Sequence, residues 1–138
     1  MADVDDVRAA FESFSDRNPA VEPLLDLYHP DVVFIDPIQR SEGIEAFAAM
    51  MRSFAARSSH LRFTTLRSAQ DGDHLFLTWS LALQIGRSPM LTIEGCSEIE
   101  LREGRIIFHR DYWDLLGSAF SAAPTAKRYL SKLTRFLA

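Results

Sequence analysis

The sequence of 138 residues contains a single cysteine, Cys96, and no long run of apolar residues. One cysteine excludes an internal disulfide and any zinc site built from several cysteines. A transmembrane helix needs about 20 mostly apolar residues in a row, and no stretch approaches that length. The first residues, MADVDDVRAAF, lack the apolar stretch of a signal peptide. By elimination, we expect a soluble cytoplasmic protein that does not bind membranes.

Excess positive charge is also missing, since the formal net charge is -4 and the pI is about 5.5. Nucleic-acid binding needs a basic surface that can neutralise phosphates. We therefore do not expect a nucleic acid as partner.

Phenylalanine, by contrast, is frequent, with ten copies in the chain. Such an aromatic content in a small protein has to fill a core or line a cavity. The length suits one domain with one core. We therefore expect a single domain over residues 1–138, built around an aromatic core or cavity.

Helical spacing of apolar residues marks both ends of the chain. A second helix is expected to start at Asn18-Pro19 and to run through Tyr28, because Asn suits the N-cap and Pro the first turn. Ser41 is the expected cap of the third helix. The predicted helices cover residues 3–16, 19–28, about 42–57 and about 124–137.

Strand-like alternation dominates the middle of the chain, where short turn sequences such as Asp71-Gly72-Asp73 separate the segments. The run DVVFID is rich in β-branched residues and predicts an earlier strand, which Pro37 ends. Helices followed by an antiparallel meander are typical of an α+β fold. The predicted strands cover residues 31–36, 60–68, 74–85, 90–101 and 106–113.

Alternation along the last strand places His109, Asp111 and Trp113 on one face. Both faces of the strand over residues 74–85 are substantially apolar, so neither is expected to be left to solvent. We expect one face to pack under the helices and the other to meet a second copy of the chain.

Two runs of sequence carry a resemblance to a known superfamily: LYHPDVVFIDPIQRSEGIEAFAAMM and, further on, GCSEIELREGRIIFHRDYWDLLG. They resemble the nuclear-transport-factor-2-like superfamily, which includes SnoaL-like polyketide cyclases, limonene-epoxide-hydrolase-like proteins and ketosteroid-isomerase-like proteins. The similarity in order of elements covers roughly residues 3–116. It implies an α+β, cone-shaped fold, in which N-terminal helices pack on a curved, mixed sheet around a pocket.

The resemblance also implies which residues face the pocket and which face a partner. The implied catalytic residues are Asp111, His109 and Asp36. The implied substrate-binding residues are Tyr28, Phe34, Phe47, Met51, Phe54, Thr78, Ser80, Ser97 and Trp113. The implied homodimer uses the outer sheet face, with Trp79, Leu81, Phe108 and Tyr112.

Ketosteroid isomerases match this sequence only in part. Asp36 corresponds to their general base, and Tyr28 to a tyrosine of the supporting hydrogen-bond network. The positions of their oxyanion donors hold Phe11 and Ser97, and a further network tyrosine corresponds to Met51. Because oxyanion stabilisation is usually the largest catalytic contribution, we do not expect ketosteroid isomerase activity.

Limonene epoxide hydrolases share the RDYWD motif, in which Asp111 takes the position of their catalytic aspartate. Their mechanism also needs an Arg and an Asp on a neighbouring strand, and those positions are matched to Ser80 and Ala82. In polyketide-cyclase-like proteins an inward acidic residue acts as base beside polar helpers, a role that Asp111 with His109 could fill. We expect a cofactor-independent isomerase, cyclase or hydrolase for a hydrophobic oxygenated molecule; the alternative is a non-catalytic domain that binds an apolar ligand.

Structural roles stay open for the same residues. Asp36-Pro37 is also a common turn opener, and His109 could be a core histidine that bonds a backbone carbonyl. Two carboxylates and a histidine could suggest a metal site. No helical His/Glu spacing accompanies them, so we expect neither a metal nor another cofactor.

Overall fold

The structure is a computed structural model that describes residues 2–15 and 21–120, together with residues 131, 132 and 135. Its elements are α1 (Val4–Ser13), α2 (Val21–Leu25), β1 (Tyr28–Ile35), β2 (Arg40–Glu42), α3 (Ile44–Arg57), β3 (Ser58–Asp71), β4 (His74–Ile85), β5 (Leu91–Arg102), β6 (Arg105–Trp113) and α4 (Leu115–Phe120).

The strands form one six-stranded sheet in the order β2-β1-β6-β5-β4-β3. β1 runs parallel to β6, whereas the other neighbours are antiparallel, so the sheet is mixed. Register shifts at Thr65/Arg67 in β3 and at Glu100/Leu101 in β5 mark irregularities that bend strands. Helices pack on this curved sheet, which confirms the expected α+β, nuclear-transport-factor-2-like fold.

Helix α1 begins where the sequence favours a helix start. Asp3 is the N-cap and accepts hydrogen bonds from the backbone N–H groups of Asp5 and Asp6, while the Asp6 side chain bonds back to the Asp3 N–H. This capping box satisfies backbone donors that no helical carbonyl can reach. Val7 and Phe11 are buried on the side of the helix that packs against β3.

Tyr28 lies at the start of β1 and not at the end of the second helix, so the expected helix over residues 19–28 is wrong at its end. Tyr28 is in parallel register with Ile106, and the N–H of Ile106 donates to the carbonyl of Leu27. Pairing with β6 and burial of the phenol ring outweigh the helical spacing of Leu24, Leu25 and Tyr28.

Helix α3 begins after Gly43, and Ser41 is not its cap. Ser41 lies in β2 opposite Phe34. Gly43 has φ 85°, a conformation that a residue with a Cβ rarely adopts, and it turns the chain from β2 into the helix.

The inner face of β4 is the opposite of the face that the resemblance implied. Trp79 and Leu81 are buried beneath the helices, while Thr78 and Ser80 lie on the other face of the strand. The implied pocket positions of Thr78 and Ser80 are therefore wrong, and so is the outer position of Trp79 and Leu81. The reason is the apolar area, because burying the larger leucine and tryptophan side chains stabilises the fold more than burying threonine and serine.

The predicted C-terminal amphipathic helix over residues 124–137 lies outside the described residues, except for residues 131, 132 and 135. Within the described ranges, no helix is both long and apolar enough to cross a membrane.

Candidate functional site

A cavity of about 600 Å³ lies between the inner face of the sheet and the helices. Its walls are mostly apolar, as is usual for a site that binds small molecules. The sheet contributes residues from β1, β3, β4, β5 and β6. The helical wall includes Phe11, Phe47, Met50, Met51 and Phe54, together with Phe14 at the C-cap of α1.

Asp111 on β6 places a carboxyl group on the wall of this cavity. Its side chain is 19% exposed. Oδ1 accepts a hydrogen bond from the Ser97 hydroxyl at 2.5 Å and lies 2.7 Å from Nε2 of His109. Among the described residues, no hydrogen bond reaches Oδ2. The second carboxylate oxygen is thus the one that a bound molecule could contact.

His109 is a buried histidine whose two ring nitrogens both have partners. Nε2 faces Asp111, and Nδ1 lies 2.8 Å from the Tyr28 hydroxyl. The imidazole is stacked on the Phe11 ring, with 5.6 Å between the ring centroids. It meets the Phe34 ring edge-on, with a centroid distance of 5.0 Å. These contacts prevent the ring from turning, so His109 is held in one orientation towards Asp111.

Tyr28 is buried, and this burial changes the acidity of its hydroxyl group. Burial, with the negative charge of Asp111 as a smaller cause, raises the pKa of Tyr28 well above its ordinary value. The phenol therefore stays protonated at neutral pH and can donate to His109.

Ser97 and Trp79 extend the hydrogen bonding of Asp111 onto the neighbouring strands β5 and β4. Ser97 lies on β5 directly across from Asp111, and Trp79 lies on β4. The indole Nε1 of Trp79 donates to the Ser97 hydroxyl oxygen at 2.9 Å. Five side chains from four strands thus form one hydrogen-bonded group centred on Asp111: Tyr28, His109, Asp111, Ser97 and Trp79.

Asp36 lies at the rim of the cavity, where it forms the turn between β1 and β2. Its Oδ1 accepts from the backbone N–H groups of Ile38 and Gln39, and its Oδ2 accepts from the Gln39 side-chain amide. Both oxygens are thus engaged by the turn, which corresponds to the structural role that an Asp-Pro sequence suggests.

The other implied binding residues divide into two sets. Phe34, Phe47, Met51, Phe54 and Trp113 line the cavity together with Tyr28, whereas Thr78, Ser80 and Ser97 do not. The cavity-lining side chains that sequence comparison missed include Trp79, Leu81 and Phe63. A signal for β4 was present, because its buried set contains only leucines and tryptophan while the opposite set contains threonine, serine and glutamine.

Within the described part of the chain, the Arg/Asp pair that activates water in limonene epoxide hydrolases is not found beside Asp111. Ser80 and Ala82 lie on the outer face, so they do not approach the carboxylate. The inner-face neighbours of Asp111 on β5 and β4 are Ser97 and Leu77. No cluster of three His, Cys, Asp or Glu side chains that could hold a metal occurs in the part of the chain that the structure describes.

The fold and the cavity define a nuclear-transport-factor-2-like α+β protein. The SnoaL-like domain model matches residues 7–109, so the chain belongs to the SnoaL-like domain family. This fold family includes isomerases, cyclases and epoxide hydrolases. A search of curated proteins found no match.

Solved structures show the same fold at low sequence identity. A protein from Catenulispora acidiphila with a ketosteroid isomerase-like fold, in complex with trimethylamine, is 17% identical over 91% of this chain and 98% of its own, with a TM-score of 0.77. An M. tuberculosis LEH-like epoxide hydrolase is 22% identical over 92% and 96%, with a TM-score of 0.71. A putative SnoaL-like polyketide cyclase from Jannaschia sp. is 18% identical over 88% and 91%, with a TM-score of 0.75. At these identities the likeness establishes the fold alone.

Proposed function

We propose that this protein is a cofactor-independent enzyme that binds a small, hydrophobic, oxygenated molecule and uses Asp111 as a general base. The observation that carries the proposal is a carboxylate on the wall of an otherwise apolar cavity, with its two hydrogen bonds from described residues on Oδ1. A base in such a cavity meets its substrate with little competing water.

The chemistry follows from the free position of Oδ2. This oxygen would take a proton from an acidic C–H group, with isomerisation or ring closure of the resulting anion, or from a water molecule that adds to the substrate. His109 supports the step by holding Oδ1 at 2.7 Å. Its own orientation is maintained by Tyr28 and Phe11.

A second candidate function is binding without catalysis, in which Asp111 only orients an apolar ligand. The absence of an Arg/Asp pair among the described inner-face neighbours of Asp111 favours it. The two functions predict different behaviour of an Asp111→Asn variant. The amide oxygen can still accept from Ser97 and His109, so the fold should be kept while the base is lost.

A nitrobenzisoxazole is a suitable probe, because it is a small apolar carbon acid with a coloured product. The base removes the ring C–H proton, the electron pair of that bond completes a nitrile, and the N–O bond breaks to leave a phenolate. We expect the wild-type protein to accelerate this elimination and Asp111→Asn to lose roughly a hundredfold or more, the usual contribution of general-base catalysis.

The matched control is Asp36→Asn, which keeps an acceptor for the turn and should retain the rate. A wild-type rate in Asp111→Asn, or no acceleration by the wild type, rejects Asp111 as a general base.

Binding alone is measured with a phenol and its methyl ether. An ionised Asp111 should favour the phenol by about tenfold or more, because only the phenol donates a charge-assisted hydrogen bond, and Asp111→Asn should reduce this preference.

A further inference from the structure

Trp79 stands at the start of a hydrogen-bond chain that ends on Asp111. Its Nε1 lies 2.9 Å from the Ser97 hydroxyl oxygen, which in turn lies 2.5 Å from Oδ1 of Asp111. Ser97 is 0% exposed and Trp79 is 3% exposed. Because both links are shielded from water, each donor depends on its protein partner, and an unpaired buried group would be costly.

The chemistry of the indole ring gives this chain one direction. The Nε1–H group of Trp79 can donate a hydrogen bond but cannot accept one. The Ser97 oxygen must therefore accept from Trp79, and the single hydroxyl hydrogen of Ser97 is directed to Asp111. Oδ1 of Asp111 consequently acts as an acceptor.

A second chain reaches the same oxygen from the other side. Since Oδ1 is an acceptor, Nε2 of His109 has to carry a hydrogen and donate it across 2.7 Å. In the neutral imidazole, Nδ1 is then the acceptor for the Tyr28 hydroxyl at 2.8 Å. Two donors thus converge on Oδ1, and a proton gained by Asp111 belongs on Oδ2.

Gly95 provides independent evidence, because the Trp79 ring occupies the space that a side chain at position 95 would need. Gly95 lies opposite Trp79 on β5. A Cβ at this position would lie 2.5 Å from two carbons of the Trp79 ring and 2.9 Å from the carbonyl oxygen of Tyr112. Only a glycine lets the indole ring lie across β5 and reach Ser97.

We propose that Trp79 is a positioning residue that acts through Ser97 and makes the two oxygens of Asp111 unequal, with Oδ1 held as an acceptor and Oδ2 reserved for proton exchange. This inference rests on the proposed function of Asp111. It also defines the ligand more closely. A molecule that meets the ionised Asp111 has to present a hydrogen, from an acidic C–H group or a hydroxyl, to Oδ2.

The sharpest test changes one atom of Trp79. Benzothienylalanine at position 79 keeps the shape of the indole ring and carries sulfur in place of N–H. With the nitrobenzisoxazole probe, we expect kcat to fall roughly threefold to tenfold, the effect of losing one net hydrogen bond, while KM stays unchanged. A kcat equal to that of the wild type in the sulfur variant overturns the proposal.

NMR spectroscopy tests the direction of these hydrogen bonds without any substrate. The protein has two tryptophans, so its spectrum contains two indole N–H signals, and Trp79→Phe identifies one of them. Ser97→Ala should shift the Trp79 signal and leave that of Trp113 in place. The ring ¹⁵N shifts of His109 should show a hydrogen on Nε2 and none on Nδ1.

An unshifted Trp79 signal, or a bare Nε2 on His109, overturns the hydrogen-bond chain itself. This outcome differs from a failure of the proposed function. Full activity in Asp111→Asn would reject the general base even if both NMR results hold. Loss of activity in Asp111→Asn, together with full activity in the sulfur variant at position 79, would reject only the positioning role.

Discussion

Nε2 of His109 lies 2.7 Å from Oδ1 of Asp111, and the two residues are neighbours on the inner face of β6. Alternate residues of a strand share a face, so this contact is built into the spacing of the two residues. Tyr28, from the parallel strand β1, supplies the partner for the other ring nitrogen. The orientation of the histidine thus depends on the pairing of β1 with β6.

Removing the Tyr28 hydroxyl should destabilise the fold. In Tyr28→Phe the buried Nδ1 of His109 loses its donor, which costs about 1–3 kcal/mol for an unsatisfied buried group. Chemical denaturation measures this loss. The control is Tyr112→Phe, since the Tyr112 hydroxyl bonds to Glu98 on the outer face of the sheet and not to a group in the core. Equal losses in both variants would contradict a special role for Tyr28.

Alkaline pH should weaken the fold through the same tyrosine. The pKa of Tyr28 is raised in the folded state, mainly by burial, and is about 10 for an unfolded tyrosine. Its contribution is fully present below the unfolded value and is lost as the pH rises towards the folded one. The difference in unfolding free energy between the wild type and Tyr28→Phe should therefore shrink above about pH 10. A constant difference across that range would count against this linkage.

Gly95→Ala should be destabilising because the added Cβ meets the Trp79 ring at 2.5 Å. Overpacking of this kind typically costs about 1–3 kcal/mol. A double-mutant cycle with Trp79→Phe gives the matched control, because a smaller ring should remove part of the clash. Thermal or chemical unfolding of the four proteins measures the coupling. Additive losses would show that Gly95 does not act through Trp79.

Substitution of Asp36 should affect the turn more than the chemistry. Asp36→Ala removes the acceptor for the N–H groups of Ile38 and Gln39, and we expect a loss of about 1–2 kcal/mol from the missing hydrogen bonds. Asp36→Asn should keep most of the stability, because asparagine forms the same turn. A large loss of elimination rate in Asp36→Asn would instead make Asp36 an acid or base of the reaction.

We expect the outer face of the sheet to pair two copies of the chain. Phe76 and Tyr112 are 44% and 46% exposed there. Acids on β5 and arginines on β3 and β6 make the face complementary to itself in charge. Phe76→Glu should therefore yield monomers in sedimentation analysis. The control Ile38→Glu, at the cavity rim, should leave the dimer intact. A monomeric wild type would refute the pairing. The charged residues are Glu94, Glu98, Glu100, Arg62, Arg67 and Arg110.

The strands of the meander could be predicted because local patterns specify them. The expected strand over residues 74–85 matches β4 at both ends, since a turn with Gly72 precedes it and another with Gly86 follows it. The start of β1 could not be found in this way. Tyr28 continues a helical spacing, and only its pairing with Ile106, far along the chain, makes it part of a strand.

The site was predictable to the extent that it depends on alternation within one strand. His109 and Asp111 were correctly placed together on this basis. The contribution of Trp79 is different, because the resemblance implies the outer face for Trp79 whereas the apolar pattern of β4 favours the inner face, where the residue lies. Its bond to Ser97 depends on the register between β4 and β5 and on the clearance at Gly95, and no local sequence pattern specifies either.

The bonds that hold Asp111 come from residues of the sheet: Trp79, Ser97, His109 and, through it, Tyr28. Helix α3, which carries Met50, Met51 and Phe54, supplies a separate part of the cavity wall. Methionine adapts its shape easily and tolerates replacement. The residues that hold Asp111 and this methionine-containing part of the cavity wall are therefore encoded in different stretches of chain. Under the proposed function, changes in α3 would alter the shape of the cavity while the residues bonded to Asp111 stay in place.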